Sequence, residues 1–323
     1  MSFQRGFGGY ALGALAALRC SSQHRHRAPT RLYQHAVHSL TRGNYFLTKN
    51  LTAAGTCIVI GDEGVSFDMR GHTITGNGTG DGITNGGIGF LSMAIANGRI
   101  RNFDTGIKLF ASGSAIISNV DSSKNAGEGI FIERCCNTLN SVIADGNGNS
   151  GIEITSGDSS LTKIEANGNG AVGIFITSGS NLLVASTANN NTGGGAQMNG
   201  FDNFFVGSTM QGNTDFGLRM FSDNGVIKTN TSNNGGDGML FTSQTNQVIQ
   251  SISNKNGGEG LDFGGRLGVI SVVQANKNGG DGVDMFCRGS TASLTATQNG
   301  GTNNLVQTLT GDGPCTNVNL NAP

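Results

Sequence analysis

The stretch NAGEGIFI, residues Asn125–Ile132, decides the fold of this chain because its pattern returns at regular intervals. NGNSGIEI follows at residues 147–154, and NGAVGIFI at residues 169–176. Each copy has an Asn, three variable residues, a Gly, and then apolar residues at the first and third positions after that Gly. Nine copies follow one another at spacings of 21 to 23 residues. Their asparagines are Asn102, Asn125, Asn147, Asn169, Asn191, Asn213, Asn234, Asn256 and Asn278.

The residue between the two apolar positions has no fixed character: it is Lys108, Glu153 and Asp262 in three of the copies. Alternation with a period of two is typical of a half-buried strand and not of a helix. Two further apolar patches in each copy predict three short strands per coil. One such coil cannot bury its apolar side alone, so neighbouring coils must stack. The sequence therefore predicts an all-β protein, a right-handed parallel β-helix of about ten coils of roughly 22 residues.

We assign residues 44–323 to this single parallel β-helix domain. The repeat pattern degrades at about residues 44–75 and 305–323. These stretches are expected to cap the two ends of the rod, because an uncovered end would present unpaired strand edges.

The repeated Asn has a structural interpretation. Asn tolerates left-handed backbone angles at a tight corner, and its amide carries both donors and an acceptor. Asparagines stacked one coil apart can therefore hydrogen-bond along the rod, as they do in cross-β assemblies. The nine repeated asparagines are expected to form this ladder, and Asn181 is expected to lie outside it.

Residues 1–43 differ in composition from the rest of the chain. They hold six Arg and four of the five His, and no acidic residue precedes Asp62. Residues 6–18 form an apolar run of signal-peptide size that is too short to span a membrane. Residues 30–40 have a helical apolar face and are a candidate capping helix. We interpret 1–43 as a targeting-like or capping segment and expect a secreted or cell-surface protein.

Composition excludes several classes of function. The formal net charge is −1 and only 13% of residues are charged, which argues against nucleic-acid binding. No Trp is present, although sugar-processing clefts often use it. His72 is the only His after residue 43, so no catalytic site with several histidines and no three-His zinc site can form on the rod. No cofactor is predicted.

The segment from Tyr45 to Ile83 resembles the opening of bacterial right-handed parallel β-helix repeat proteins. The run VSFDMRGHTI at residues 65–74 and the Asn-x-x-x-Gly-Ile repeats carry the resemblance. Such proteins belong to the pectin-lyase-like superfamily, which includes the NosD-like and carbohydrate-binding/sugar-hydrolase repeats. The resemblance implies a secreted protein and a polysaccharide or cell-surface glycan as ligand. It does not imply an activity, since enzymes and non-enzymes share the repeat.

One polar constellation is a candidate for chemistry. Asp262 and Asp284 occupy the same outward position on adjacent coils, and Arg266 and Arg288 each follow four residues later. Paired carboxylates of this kind suit a polysaccharide lyase or a glycoside hydrolase. They equally suit a solvated face on which each acid has its own Arg. Further ligand-binding candidates are Arg219, Phe131, Phe175 and Phe286.

Two functions remain open from the sequence. The favoured one is a secreted or surface protein that binds glycans or is structural. The alternative is an enzyme acting on the strand face around Asp262 and Asp284. No complete lyase, hydrolase or epimerase motif is found.

The sequence alone assigns no functional site to the cysteines. Cys135 and Cys136 are neighbours at a strand end, so their side chains are expected to point to opposite sides. Cys287 and Cys315 could pair at the C-terminal cap.

The run GGDGVDMFC, residues 279–287, resembles a nine-residue calcium repeat. Repeats of that type recur every nine residues so that adjacent half-turns share an ion, whereas this pattern recurs with the coil. No metal is therefore predicted. We expect a chelator to leave the melting temperature unchanged in a thermal melt. A fall of several degrees that calcium restores, and that Asp281→Ala abolishes, would contradict this expectation.

Overall fold

The chain is an all-β, right-handed parallel β-solenoid of about 11 turns spaced about 22 residues apart, close to the expected ten coils. The computed structural model describes residues 30–32, 38–87, 89, 92–110, 113–133, 135–221, 223–243, 245–264, 268–285, 291–301, 305–307 and 316–320. Two sheets run along the rod, and every strand pairs in parallel with a strand of a neighbouring turn.

In the described part of the chain, sheet A has 16 strands, and 14 of them stack in one path along the rod. Its strands are β1 (Thr30–Leu32), β3 (Gly43–Leu47), β4 (Leu51–Thr52), β6 (Val65–Asp68), β7 (Thr73–Thr75), β9 (Ser92–Arg101), β11 (Ser114–Ser122), β13 (Thr138–Ile143), β15 (Ser160–Glu165), β17 (Leu182–Val184), β19 (Phe204–Val206), β21 (Gly225–Ile227), β23 (Gln247–Ile249), β25 (Val269–Gln274), β27 (Thr291–Thr295) and β29 (Thr316–Leu320).

Sheet B has 13 strands in one path among the described residues, and it contains the repeated apolar-x-apolar motif. Its strands are β2 (His38–Leu40), β5 (Ile58–Ile60), β8 (Asp81–Thr84), β10 (Thr105–Leu109), β12 (Ile130–Ile132), β14 (Ile152–Ile154), β16 (Ile174–Ile176), β18 (Ala196–Met198), β20 (Leu218–Met220), β22 (Met239–Phe241), β24 (Leu261–Phe263), β26 (Val283–Met285) and β28 (Leu305–Gln307).

The core is a continuous stack of apolar side chains between the two sheets. In β12 the first and third residues, Ile130 and Ile132, are fully buried, whereas Phe131 between them is partly exposed. Ile152 and Ile154 continue the same two columns in the next coil. Each fully buried side chain of this size contributes about 1.5–3 kcal/mol, which explains why the alternation sets the inward face of every coil.

The Asn ladder runs from Asn125 to Asn299 along one corner of the solenoid. In each step the side-chain oxygen of one Asn accepts the backbone N–H and the Nδ2 of the Asn one coil earlier. For the pair Asn169 and Asn191 these distances are 2.9 and 3.0 Å. The last step is from Asn278 to Asn299, which the sequence motif did not include.

Asn102, which was expected in this ladder, lies outside it. Asn102 is exposed, and its backbone N–H donates to the Lys124 carbonyl, one residue before Asn125. Fully buried Phe103 occupies the ladder position instead, and its N–H donates to Asn125 Oδ1 at 3.1 Å. The 23-residue spacing between Asn102 and Asn125 is the sequence trace of this one-residue offset.

A second ladder runs along the corner that precedes sheet A, and it contains Asn181. Asn181 accepts the Ser159 N–H at 3.0 Å and donates its Nδ2 to Asn203 Oδ1 at 3.0 Å. The same pattern continues from Asn203 to Asn224 and from Asn224 to Asn246. Asn181 therefore lies outside the first ladder, as expected, but it belongs to a second ladder that the sequence analysis did not identify.

The described ends of residues 30–40 form strands and not the expected capping helix. β1 pairs with β3, and β2 pairs with β5, both in parallel. These residues therefore continue the two sheets at the N-terminal end of the rod. In strand β2, Ser39 is exposed and Leu40 is buried, which is the alternation of a strand.

Candidate functional site

One row of partly exposed side chains follows the outer face of sheet B along the rod. These side chains belong to the central residues of successive strands, which the strand pairing places in register about 4.8 Å apart. We call this set the outer row. Its members from β10 to β26 are Lys108, Phe131, Glu153, Phe175, Gln197, Arg219, Leu240, Asp262 and Asp284.

The structure places five of the sequence-predicted residues in this row. Asp262 and Asp284 are direct Cα partners, and Arg219 lies two coils earlier, separated from Asp262 by Leu240. Phe131 and Phe175 flank Glu153. The other three candidates, Arg266, Arg288 and Phe286, lie outside the described residues.

The carboxyl pair at the C-terminal end of the row has an unusual electrostatic environment. Desolvation raises the pKa of Asp262 from its ordinary value of 3.8 to about 6, and the charges of Asp284 and Asp237 add to this effect. At neutral pH this end of the row is therefore a closely spaced group of acids that repel one another.

A second line of acids lies in the turn that precedes sheet B. The Glu259 backbone N–H donates to Asp237 Oδ1 at 2.9 Å. The pKa of Glu259 is raised to about 7. The main cause is a hydrogen bond between the Glu259 and Asp237 carboxyl groups, and desolvation is the second cause. Asp281 occupies the same place one coil further along. Within the described residues, no group of three or more His, Cys, Asp or Glu side chains is arranged to hold a metal ion.

We expect Asp262→Asn to stabilise the protein at neutral pH. The folded state holds the Asp262 proton up to about pH 6, whereas the unfolded chain loses it near pH 4. The wild-type free energy of unfolding therefore falls as pH rises through this window. The variant should be more stable by about 1 kcal/mol at pH 7, less than the full shift implies because the carboxyl group is partly solvated. Urea titrations of both proteins at several pH values measure the difference, which should vanish below about pH 4. A variant less stable than wild type at neutral pH would contradict this reading.

Arg219 is held against an aromatic ring. Its guanidinium carbon lies 5.9 Å from the centre of the Phe216 ring, and its buried Nε has no hydrogen-bond partner among the residues that the structure describes. Phe216 is itself buried, because its ring lies on Gly194 of the preceding coil, where a Cβ would come within 2.0 Å of it. The absence of a side chain at Gly194 thus positions the ring, and the ring positions the cation.

The N-terminal end of the row carries a charged cluster that sequence reasoning missed. The pKa of Asp81 is raised above its ordinary value, mainly because the carboxyl group is desolvated. The charge of Lys108 opposes this shift, and the charges of Asp104 and Glu128 add to it. Glu128 accepts hydrogen bonds from Thr105 Oγ1 at 3.2 Å and Asn149 Nδ2 at 2.6 Å.

Aromatic rings border this cluster. The centres of the Phe110 and Phe131 rings are 5.9 Å apart, and Lys108 Nζ lies 5.4 Å from the centre of the Phe110 ring. Desolvation, with a smaller contribution from Glu128, raises the pKa of Glu153. In the sequence, Lys108, Phe131 and Glu153 occupy the variable position between the two apolar residues of each repeat. Their residue types follow no pattern, so their proximity becomes visible only when neighbouring coils are placed in register.

A groove of about 400 Å³ lies elsewhere on the rod, lined among others by Asn97, Arg99 and Asp121. Its polar groups pair with one another: Asn119 Nδ2 donates to Asn97 Oδ1 at 3.2 Å, and Arg99 Nε lies 3.8 Å from Asp121 Oδ2. We therefore place the candidate site on the outer row and not in this groove. No helix in the described part of the chain has the length and hydropathy needed to cross a membrane.

Comparisons with known proteins address the fold. A family model described as right handed beta helix region matches residues 36–188. No curated protein matches the chain. Among solved structures, a point mutant of the periplasmic alginate epimerase AlgG has a TM-score of 0.58 at 11% identity, over 88% of this chain and 77% of that one.

Two further solved structures are similar at the same level. The mannuronan C-5 epimerase AlgE4 A-module of Azotobacter vinelandii has a TM-score of 0.51 at 14% identity, over 89% of this chain and 91% of that one. ORF18 of Geobacillus virus E2 has a TM-score of 0.52 at 13% identity, and the match covers 80% of this chain but only 52% of that protein. The chain is therefore a right-handed parallel β-helix protein with structural neighbours in the pectin-lyase-like superfamily.

Proposed function

We propose that this protein binds a polysaccharide along the outer row of sheet B and acts as a secreted or surface protein. The observation that carries the proposal is the succession of Lys108, Phe131, Glu153, Phe175, Gln197 and Arg219, one per coil and in register. Phenyl faces offer apolar area to a sugar ring, and the charged and amide groups between them offer donors and acceptors to hydroxyl groups. A linear row of repeated contacts suits a linear polymer better than a small ligand.

The structural neighbours support the ligand class. Two of them are epimerases of alginate or mannuronan, both of which are polysaccharides. AlgG is described as periplasmic, which is in keeping with a location outside the cytoplasm for this chain. At 14% and 11% sequence identity these neighbours support only the same fold. The proposal of binding therefore rests on the residues of the outer row.

The test is a glycan array followed by calorimetric titration of the polymers that bind. Arg219→Gln and the double variant Phe131→Ala/Phe175→Ala should each weaken binding by about tenfold or more, equivalent to 1.4 kcal/mol. Lys228→Gln is the matched control: it removes one cation from the same coil but lies just beyond β21 on the sheet A side, where Lys228 is exposed. Loss of binding in the control with no effect of the outer-row variants would refute the proposal.

A second candidate function rests on one specific observation, the raised pKa of Asp262 beside Asp284. A carboxyl group that keeps its proton up to about pH 6 beside a second carboxyl group is the acid–base arrangement of many glycoside hydrolases. A reducing-end assay on the polymers that bind tests it. Release of oligosaccharide that is abolished by Asp284→Asn would establish an enzyme, and no release with retained binding would leave the binding function alone.

A further inference from the structure

Cys135 and Cys136 lie in the turn between β12 and β13, and their geometry differs from the sequence expectation. β12 ends at Ile132, and Cys136 has a positive φ of 69°. Consecutive side chains point to opposite sides only where both residues are extended. In this turn they come together, and the two thiols form a hydrogen bond.

The solenoid itself holds this turn in place. The equivalent residue also has a positive φ in the following coils, 55° at Asp158 and 60° at Ser180. The Cys136 N–H donates to the Gly157 carbonyl at 3.3 Å, and Ser114 Oγ donates to the Cys136 carbonyl at 3.1 Å. Contacts with the coils on both sides therefore fix the backbone that brings the two thiols together.

The pair is also accessible to reagents. Cys136 is exposed, Cys135 is half-buried, and both are free cysteines. The equivalents of Cys135 in the next two coils are Gly157 and Gly179, which have no side chain to cover the thiols. Cys57 provides an internal contrast: it is 2% exposed, and burial raises its pKa to about 11.

We propose that Cys135 and Cys136 form a redox-active vicinal dithiol that small disulfides, such as oxidised glutathione, convert to an intramolecular disulfide. One of the two thiolates attacks one sulfur of oxidised glutathione, the S–S bond breaks, and one glutathione leaves as a thiolate. The neighbouring thiol then loses its proton and attacks the protein sulfur of the mixed disulfide, and the second glutathione leaves as a thiolate. The protein gives up two electrons and two protons, and oxidised glutathione becomes two reduced glutathiones.

Both thiols are within reach of a reagent, because Cys136 is exposed and Cys135 is half-buried. Whichever thiol attacks first forms the mixed disulfide, and its neighbour resolves it. Their Cα atoms are about 3.8 Å apart across the intervening peptide bond, shorter than the span of a relaxed disulfide. The product is thus strained and easily reduced, as suits a reversible modification.

The full chain is equilibrated with reduced and oxidised glutathione at graded ratios, quenched in acid, alkylated, digested with trypsin and analysed by mass spectrometry. Cleavage after Arg134 and Lys163 yields residues 135–163, which contain both cysteines and no other. We expect this peptide to lose two hydrogens and to escape alkylation at oxidising ratios, and to recover both thiols at reducing ratios. In Cys136→Ser, Cys135 should stop at the mixed disulfide with glutathione.

Phenylarsine oxide gives a second readout that needs no oxidant. It bridges two thiols through one arsenic with loss of water, and either single Ser variant should bind it about 100-fold more weakly. The proposal is overturned if the wild-type peptide keeps both thiols alkylatable at every ratio, or accumulates the mixed disulfide without closing. Equal arsenical affinity in wild type and single variants would overturn it too. Unchanged urea titrations verify that the variants are folded.

Discussion

Asn191→Ala should lower the free energy of unfolding by about 2–3 kcal/mol. Asn191 is fully buried in the first ladder, and its Oδ1 accepts two hydrogen bonds from Asn169 at 2.9 and 3.0 Å. The substitution leaves the Asn169 N–H and one of its amide hydrogens without an acceptor in a site from which water is excluded. It also removes one of the two donors to Asn213 Oδ1, the side-chain Nδ2 of Asn191. A urea titration followed by circular dichroism measures the loss.

Asn140→Ala is the matched control. Asn140 is exposed on sheet A, and within the described part of the chain its Oδ1 accepts a hydrogen bond from Ser141 Oγ alone. Its substitution should change stability by less than about 0.5 kcal/mol. Asn181→Ala should instead be as damaging as Asn191→Ala, because Asn181 belongs to the second ladder. If Asn191→Ala and Asn140→Ala cost the same, the ladder contributes no stability beyond that of an exposed amide.

Gly173→Ala should destabilise by about 3 kcal/mol, through steric overlap and not through a lost contact. A Cβ at this position would lie 2.6 Å from Asn191 Nδ2, 2.7 Å from the Ala166 carbonyl oxygen and 2.8 Å from the Gly195 carbonyl oxygen. Two of these three atoms belong to the backbone, so they cannot move aside without shifting a coil. The ladder amide of Asn191 is displaced as well, which couples this substitution to the ladder.

Gly168→Ala separates this overlap from backbone strain. Gly168 has a positive φ of 64°, but nothing lies within 4 Å of the place its Cβ would take. The expected cost is only the strain of a left-handed Ala, about 1 kcal/mol. Gly168→Asn should cost less, since Asn190 has a φ of 56° at the equivalent place one coil later. Equal losses for Gly173→Ala and Gly168→Ala in the same titration would show that strain, not overlap, accounts for both.

These two positions explain why the Asn and the Gly recur together in the sequence. The Gly of one coil leaves the space into which the ladder amide of the next coil fits, as Gly173 does for Asn191 and Gly151 does for Asn169. In a solenoid each coil contacts only its neighbours, so a defect at either position acts on one interface. The mid-rod location of Asn191 and Gly173 places that interface inside the stack, where both sides are packed.

The sequence alone determined the coil. Period-two alternation after each Gly decides which side chains are buried, and the 22-residue spacing decides that Ile130 stacks on Ile152. Both are local or strictly periodic properties, so they can be read without a structure. The same periodicity identified the first ladder from Asn125 to Asn278, and it placed Asp262 beside Asp284.

Only the tertiary structure decided what the irregular positions do. An offset of one residue in the coil before Asn125 excludes Asn102 and admits Phe103, because stacking follows the hydrogen-bond register and not the identity of the residue. The second ladder was missed because Ser159 interrupts its asparagines and no Gly follows them at a fixed spacing. The charged cluster around Lys108 and Glu128 depends on contacts between outward residues of different coils, which obey no periodic rule. A single left-handed residue, Cys136, likewise brings together two thiols that an extended chain would hold apart.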